Sequence, residues 1–178
     1  MGLDITAYEK VTLVEDEHKQ GEDANGNWCQ ESPEYGGKGH VRAYLGSPSF
    51  AQSFRGLEEG RCYLPEGESF EFRAGSYSGH GAFRDALSKI ALGVPPGVTW
   101  QYPERYRDEP FFELINFSDC EGAIGPEACT DLARDFQEGH SKVRAQLTNS
   151  FDGYFAELYD TWQEAFELAA GDGLVDFH

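Results

Sequence analysis

The chain has 178 residues and a formal net charge of −18, from 32 acidic against 14 basic side chains. With 39% hydrophobic and 14% aromatic residues it is too apolar to stay disordered, and its length fits one domain, 1–178, with a sizeable core. No run of 18 apolar residues is present, which excludes a membrane-spanning helix, and the negative charge disfavours direct contact with nucleic acid or an anionic membrane surface.

The charge is unevenly spread. Residues 1–37 sum to −7, residues 38–107 to +2, and residues 108–178 to −13, with no Lys or Arg after Arg144. Anion recognition therefore belongs to the middle third. The opening residues, MGLDITAYEK, have neither a basic n-region nor an apolar h-region, so no signal peptide and a cytoplasmic location are expected. Cys29, Cys62, Cys120 and Cys129 form no C-x-x-C pair, and the five histidines form no ligand-spaced pair. No metal site and no cofactor are predicted, and the thiols are expected to be reduced and partly buried.

In chain order, Leu3 to Val14 is β-branched and roughly alternating, a first strand. The polar stretch that follows, with Asn25-Gly26 and Gly36-Gly37, reads as a long loop or hairpin. His40 to Leu45 reads as a strand, and GSPSFAQSF as a loop with at most one helical turn. GRCYLPEGESFEFRA reads as a short strand, a Pro-Glu-Gly turn and a second strand over Ser69 to Ala74. Phe83, Leu87, Ile90 and Ala91 have helical spacing over Gly81 to Leu92, with Gly93 as the stop. The Pro-rich segment GVPPGVTWQYPERYRDEP predicts loop or extended chain.

FFELINFS, Phe111 to Ser118, is apolar at both parities and predicts a central strand, with DCEGAIGP as a turn. Pro126 predicts the first position of a helix through EACTDLARDFQEG. A last helix carries the stripe Phe151, Tyr154, Phe155, Leu158, Tyr159, Trp162, Ala165, Phe166 and Ala169, with carboxylates on its other face. The expected fold is α+β: a mixed or antiparallel sheet packed by about three helices, including the long amphipathic C-terminal one.

Two strand–loop–helix corners stand out. In the first, Arg73, Ser76, Tyr77, Ser78, His80 and Arg84 surround glycines 75, 79 and 81. A helix start with open N–H groups, hydroxyls and flanking guanidinium groups suits an anion, although turns and caps use the same residues. In the second, Asp119, Cys120 and Glu121 offer acceptors for a ligand's sugar or base; neighbouring carboxylates disfavour Cys120 as a nucleophile. Opening on one pocket, with Trp100, Tyr102 and Tyr106 as a stacking wall and Arg105 and Arg107 adding charge, the corners would suit a small anionic, nucleotide-type ligand. No complete catalytic constellation is visible, and an enzyme is not the favoured reading. Hydrolysis would need His80 or Glu121 as general base.

GSYSGHGAFR, FSDCEGAIGP…LARDF and the opening MGLDITAY together resemble a family of phage- and prophage-encoded hypothetical proteins with GSYSG-type and FSDCEG-type motifs. His80 stands where those motifs lead one to expect an aromatic such as Tyr. The resemblance carries no catalytic role; it implies a phage context, the host cytoplasm, and an accessory, anti-defence protein that sequesters a host signalling nucleotide. The alternative is an acidic nucleic-acid mimic that occupies a basic groove on a host protein. A second copy of the chain is a further candidate partner.

Overall fold

The computed structural model describes residues 2–14, 40–118, 120–148 and 153–178. Asp119, Phe151 and the predicted loop with Asn25-Gly26 and Gly36-Gly37 lie outside the described residues. The fold is α+β, a curled antiparallel sheet in the order β2-β3-β1-β5-β4 packed by helices. The strands are β1 (Gly2–Leu13), β2 (Val41–Arg42), β3 (Cys62–Ser76), β4 (Gly122–Ile124) and β5 (Leu174–Phe177). The helices are α1 (Tyr77–Leu92), α2 (Pro96–Gln101), α3 (Pro103–Tyr106), α4 (Phe112–Ile115), α5 (Pro126–Gly139), α6 (Ala145–Leu147) and α7 (Tyr154–Ala169). A 3-10 turn at Pro48–Phe50 and a π-helical turn at His140–Arg144 complete the helical segments. No helix among the described residues is long and apolar enough to cross a membrane.

Long β1 and β3 form the backbone of the sheet. Pro65-Glu66-Gly67 does not turn the chain; β3 runs through it, with a register shift where Tyr8 faces Ser69 and Lys10 faces Glu66. The extra residue is absorbed by a bulge at Gly67, whose φ of +77° suits glycine. Glu9 closes the bulge by accepting from the Glu68 N–H at 2.8 Å. A second shift falls between Gly2 and Asp4, opposite Gly75 at φ +104°.

Leu3, Ile5 and Ala7 of β1 face the helices with Val175 and Phe177 of β5, all essentially buried. Against this face lies the apolar stripe of α7. Trp162 stacks on Phe166 at 5.4 Å and on Phe177 at 5.6 Å, and meets Phe72 edge-on at 4.9 Å. Full burial of such rings is worth roughly 2–3 kcal/mol each, so this layer dominates the core. Helix α5 packs beside α7, where the Tyr159 hydroxyl donates to the Phe136 carbonyl at 2.6 Å.

Three predicted elements change type, one of them the turn DCEGAIGP, whose Gly122–Ile124 pairs with β5 as strand β4. Phe111 to Ser118 is not a strand: Phe112–Ile115 is the short helix α4, buried on every side. All-round burial leaves apolar residues at every position, and parity then cannot separate strand from helix. Phe111 enters it at φ +63°, with its N–H donating to Asp135 at 2.8 Å. The Pro-rich segment is also not extended, because Pro96 and Pro103 open α2 and α3 at their first positions. Of His40 to Leu45, only Val41–Arg42 pairs as a strand.

Strand β5 has no counterpart among the predicted elements. The chain reaches it through Gly173, where an added Cβ would lie 2.0 Å from the Tyr8 carbonyl oxygen and 2.8 Å from the Ala169 Cα. Both neighbours are backbone and cannot swing aside. Gly173→Ala is therefore expected to cost about 3 kcal/mol, read as a lowered midpoint in urea unfolding.

Candidate functional site

The first predicted corner does not contain a loop. Strand β3 passes at Ser76 directly into α1, which begins at Tyr77 rather than near Gly81. Ser76 is the N-cap: its Oγ accepts from the Gly79 N–H at 3.0 Å and lies 3.0 Å from the Ser78 hydroxyl. Those hydroxyls satisfy the helix start itself. Arg73 is exposed on β3, its Nε 3.8 Å from Asp4.

His80 belongs to the core. Its ring lies 5.5 Å from Trp162 and 6.2 Å from Phe177, and neither ring nitrogen has a hydrogen-bond partner among the described residues. Burial, helped by the positive charge of Arg84, lowers its pKa to about 3, so it is neutral at any working pH. A buried neutral ring in an aromatic cage is out of reach as a general base.

Arg84, one face further along α1, reaches a different place. Its guanidinium donates through Nη1 to the Phe117 carbonyl and lies 5.9 Å from the Trp100 ring centroid. The indole is 52% exposed and fixed at its other end, Nε1 donating to the Ile115 carbonyl at 3.1 Å. Both line a cavity of about 560 Å³, with Tyr44, Phe50 and Phe117 as further aromatic walls and Ser49, Asn116, Ser118, Cys120 and Glu121 as polar ones. Phe50 and Phe117 pack at 5.3 Å, and Asn116 donates to the Ser49 carbonyl at 3.2 Å, which fastens the 3-10 turn to α4.

The structure thus brings Arg84, Trp100, Cys120 and Glu121 together; Arg73, Ser76, Tyr77 and Ser78 do not line this cavity. Tyr102 is exposed, Tyr106 is buried beneath Arg105 at 5.4 Å, and Arg107 pairs with Glu104 at 3.1 Å. The turn before β4 is held by Ser118, whose Oγ accepts from the N–H groups of Cys120 and Glu121, each at 3.2 Å. Cys120 is free and exposed, Cys129 free and buried with its thiol pKa pushed up by desolvation, and Cys62 disulfide-bonded, against the expectation of reduced thiols throughout. Among the described residues no cluster of three metal-ligating side chains occurs.

A second cavity, of about 600 Å³, adjoins the first. Tyr44, Cys120 and Glu121 line both. Its floor is the outer face of β1 and β5, with Tyr8, Asp176 and His178. Burial pushes the Asp176 carboxyl up to about 7, opposed only by a hydrogen bond from the Phe177 backbone. The same burial, with Asp176 and Glu71 nearby, raises the Tyr8 pKa. Asp176 and Tyr8 escape a composition-based search; the sign that could have found Asp176 is the alternation in LVDFH, one polar residue between two core positions.

No family model matches the chain, and no curated protein or solved structure is significantly similar to it.

Two titrations follow. Folded His80 refuses a proton that the unfolded chain accepts below pH ~6.5, so its contribution is present at neutral pH and is lost as pH falls toward 3. His80→Phe removes this loss and two unpartnered nitrogens. It is expected to raise stability at pH 7 by about 1–3 kcal/mol and to flatten the acid limb of the melting profile. Asp176 has the opposite sign. Its raised folded pKa means stability falls as pH rises from ~4 to about 7. Asp176→Asn should melt higher than the parent at pH 8, by about 1–3 kcal/mol, and match it at pH 4.

Proposed function

We propose that the protein binds a small, planar, nucleotide-like anion in the first cavity. The observation that carries this reading is the cavity's construction: an exposed indole held by a hydrogen bond at Nε1, with the Arg84 guanidinium over its ring and further aromatic side chains among the cavity walls. Its volume of about 560 Å³ suits a ligand of nucleotide size. Aromatic faces supply sequence-tolerant stacking for a heterocycle. Arg84 supplies the positive charge, while Asn116 and Ser118 offer directional hydrogen bonds to ring or phosphate atoms. In the phage setting that the sequence resemblance implies, such a protein would hold a host signalling nucleotide away from its receptor.

The carboxylates of α7 support a second reading, an acidic mimic docking on a basic host protein. Glu157, Glu164 and Glu167 are exposed on one face of that helix, and Asp160 is instead neutralised by Arg144 at 2.6 Å. Three solvated carboxylates are a thinner basis than a built cavity, since acidic helix faces also serve solubility alone.

A thermal-shift panel of mono-, di- and cyclic nucleotides separates the two. At a hundredfold excess over Kd a bound nucleotide adds about 2.7 kcal/mol, a rise of roughly 5–10 °C for a chain of this size. Trp100→Ala should abolish the rise with little change in the unliganded melting temperature. Arg73→Ala should retain it. A flat panel, with steeply salt-dependent capture of a basic protein that is lost when Glu157, Glu164 and Glu167 are changed to Gln, would overturn the first reading in favour of the second.

A further inference from the structure

The second cavity is not used by the reading above. Its floor is set by β-sheet parity: Val175 and Phe177 point into the core, so Asp176 between them points out. Across the sheet Asp176 is paired with Thr6 of β1 and Ala123 of β4, neither of which offers it a charge. The carboxyl is desolvated, and among the described residues a backbone hydrogen bond at Phe177 is the interaction that favours its charge. A carboxylate accepts at about four lone-pair positions, so this one has capacity for further donors on the cavity side.

The surroundings specify what kind of donor. Glu121 also lines this cavity and is a second acceptor. Tyr8 adds a phenol, and the His178 ring is held beside them by Thr6, Nε2 to Oγ1 at 2.9 Å. Tyr44 contributes an aromatic face at the junction with the first cavity. Acceptors in excess, groups that both donate and accept, and one aromatic platform fit a polyhydroxylated group. Its hydroxyls donate to carboxylates, and its C–H face lies on a ring.

We propose that the second cavity receives the sugar diol of the same ligand: a ribonucleoside-type molecule lies across Tyr44, its base and 5′-phosphate on the first-cavity side with Arg84, and its vicinal hydroxyls, on the opposite face of the ribose, donating to Asp176 and Glu121. This rests on the reading that a planar base occupies the first cavity. The shared lining of Tyr44, Cys120 and Glu121 is what allows one molecule to occupy both.

The test is calorimetric titration of the full chain with the four ribonucleoside 5′-monophosphates and their 2′,3′-dideoxy analogues. At pH 8, where Asp176 is ionised, two charge-assisted hydrogen bonds predict that removing the diol weakens binding by about 10–100-fold. Asp176→Asn keeps shape and removes a desolvated charge, so it should fold. It should weaken the ribonucleotide by a similar factor and leave the dideoxy analogue unchanged. Glu121→Gln, on an exposed turn, should show the same selectivity more weakly. Trp100→Ala should weaken both ligand forms alike. Equal affinity with and without the diol, or equal losses for both forms in Asp176→Asn, overturns the sugar assignment while leaving Trp100-dependent base binding intact. Absence of binding by every nucleotide overturns both.

Discussion

The structure depends on the pairing of its last strand. Strand β5 lies between β1 and β4, antiparallel to both, and is extended by the reciprocal bonds between Asp4 and His178, each at 3.0 Å. On its inner side this pairing sets Phe177 against Trp162, His80 and Phe117, joining the sheet to α7, α1 and the end of α4. On its outer side it sets Asp176 in the floor of the second cavity. Because β4 is only three residues long and pairs with β5, the same strand fixes where the 118–122 turn lies. One short strand therefore orients both the core and the cavity walls, and the lack of space at Gly173 is the condition for its approach.

Electrostatics shows how a chain of −18 charge keeps this arrangement. Several of its few cations are used inside the protein. Arg55 joins Glu113 at 3.0 Å and Asp131 at 2.6 Å, tying the turn after the 3-10 segment to α4 and α5. Burial raises the pKa of Glu113, while a backbone hydrogen bond, then Arg55 and Gln52, work against that rise. Arg144 holds Asp160 through two nitrogens at 2.6 and 2.7 Å, locking the π-helical turn onto α7. The positive middle third of the sequence is therefore less available to a ligand than its sum suggests. Of its arginines, Arg84 is the one that lines the aromatic cavity.

Period and punctuation made α1, α5 and α7 legible. Gly93 adopts the left-handed stop at φ 73°, Pro126 opens α5, and the α7 stripe from Phe155 to Ala169 is buried as its spacing predicts, whereas Tyr154 at its start is exposed. Elements whose signal is suppressed by burial or by a bulge were not legible. Pro65-Glu66-Gly67 has turn composition, yet a single positive-φ glycine accommodates it within a continuous strand. Phe112 to Ile115 is apolar at each position except Glu113, which Arg55 neutralises, and a buried helical turn and a buried strand share that pattern. The site was legible only in pieces. Glycine and serine drew attention to residues 73–78, where the hydroxyls serve the cap. The cavities are instead assembled from Tyr8, Tyr44, Phe50, Arg84, Trp100, Asn116 and Asp176, single residues on separate segments whose convergence is set by strand pairing.

The wall between the two cavities bears on whether they can act together. Tyr44 is held from behind: its carbonyl accepts from the Ala123 N–H at 3.0 Å, so its position follows β4 and hence β5. Gly122, at φ +126°, lets that carbonyl pass close by, since a Cβ there would lie 3.1 Å from it and 3.0 Å from the Phe117 ring. Trp100, Asn116 and Ser118 are each hydrogen-bonded to backbone as well, which fixes the opposite side of the first cavity. A ligand entering such a site meets groups whose ordering cost was met during folding, so more of the contact energy remains as affinity. The same rigidity limits what can be bound. With its backbone pinned to β4, Tyr44 keeps the two cavities side by side, and a molecule of the proposed kind would have to cross between them at that residue.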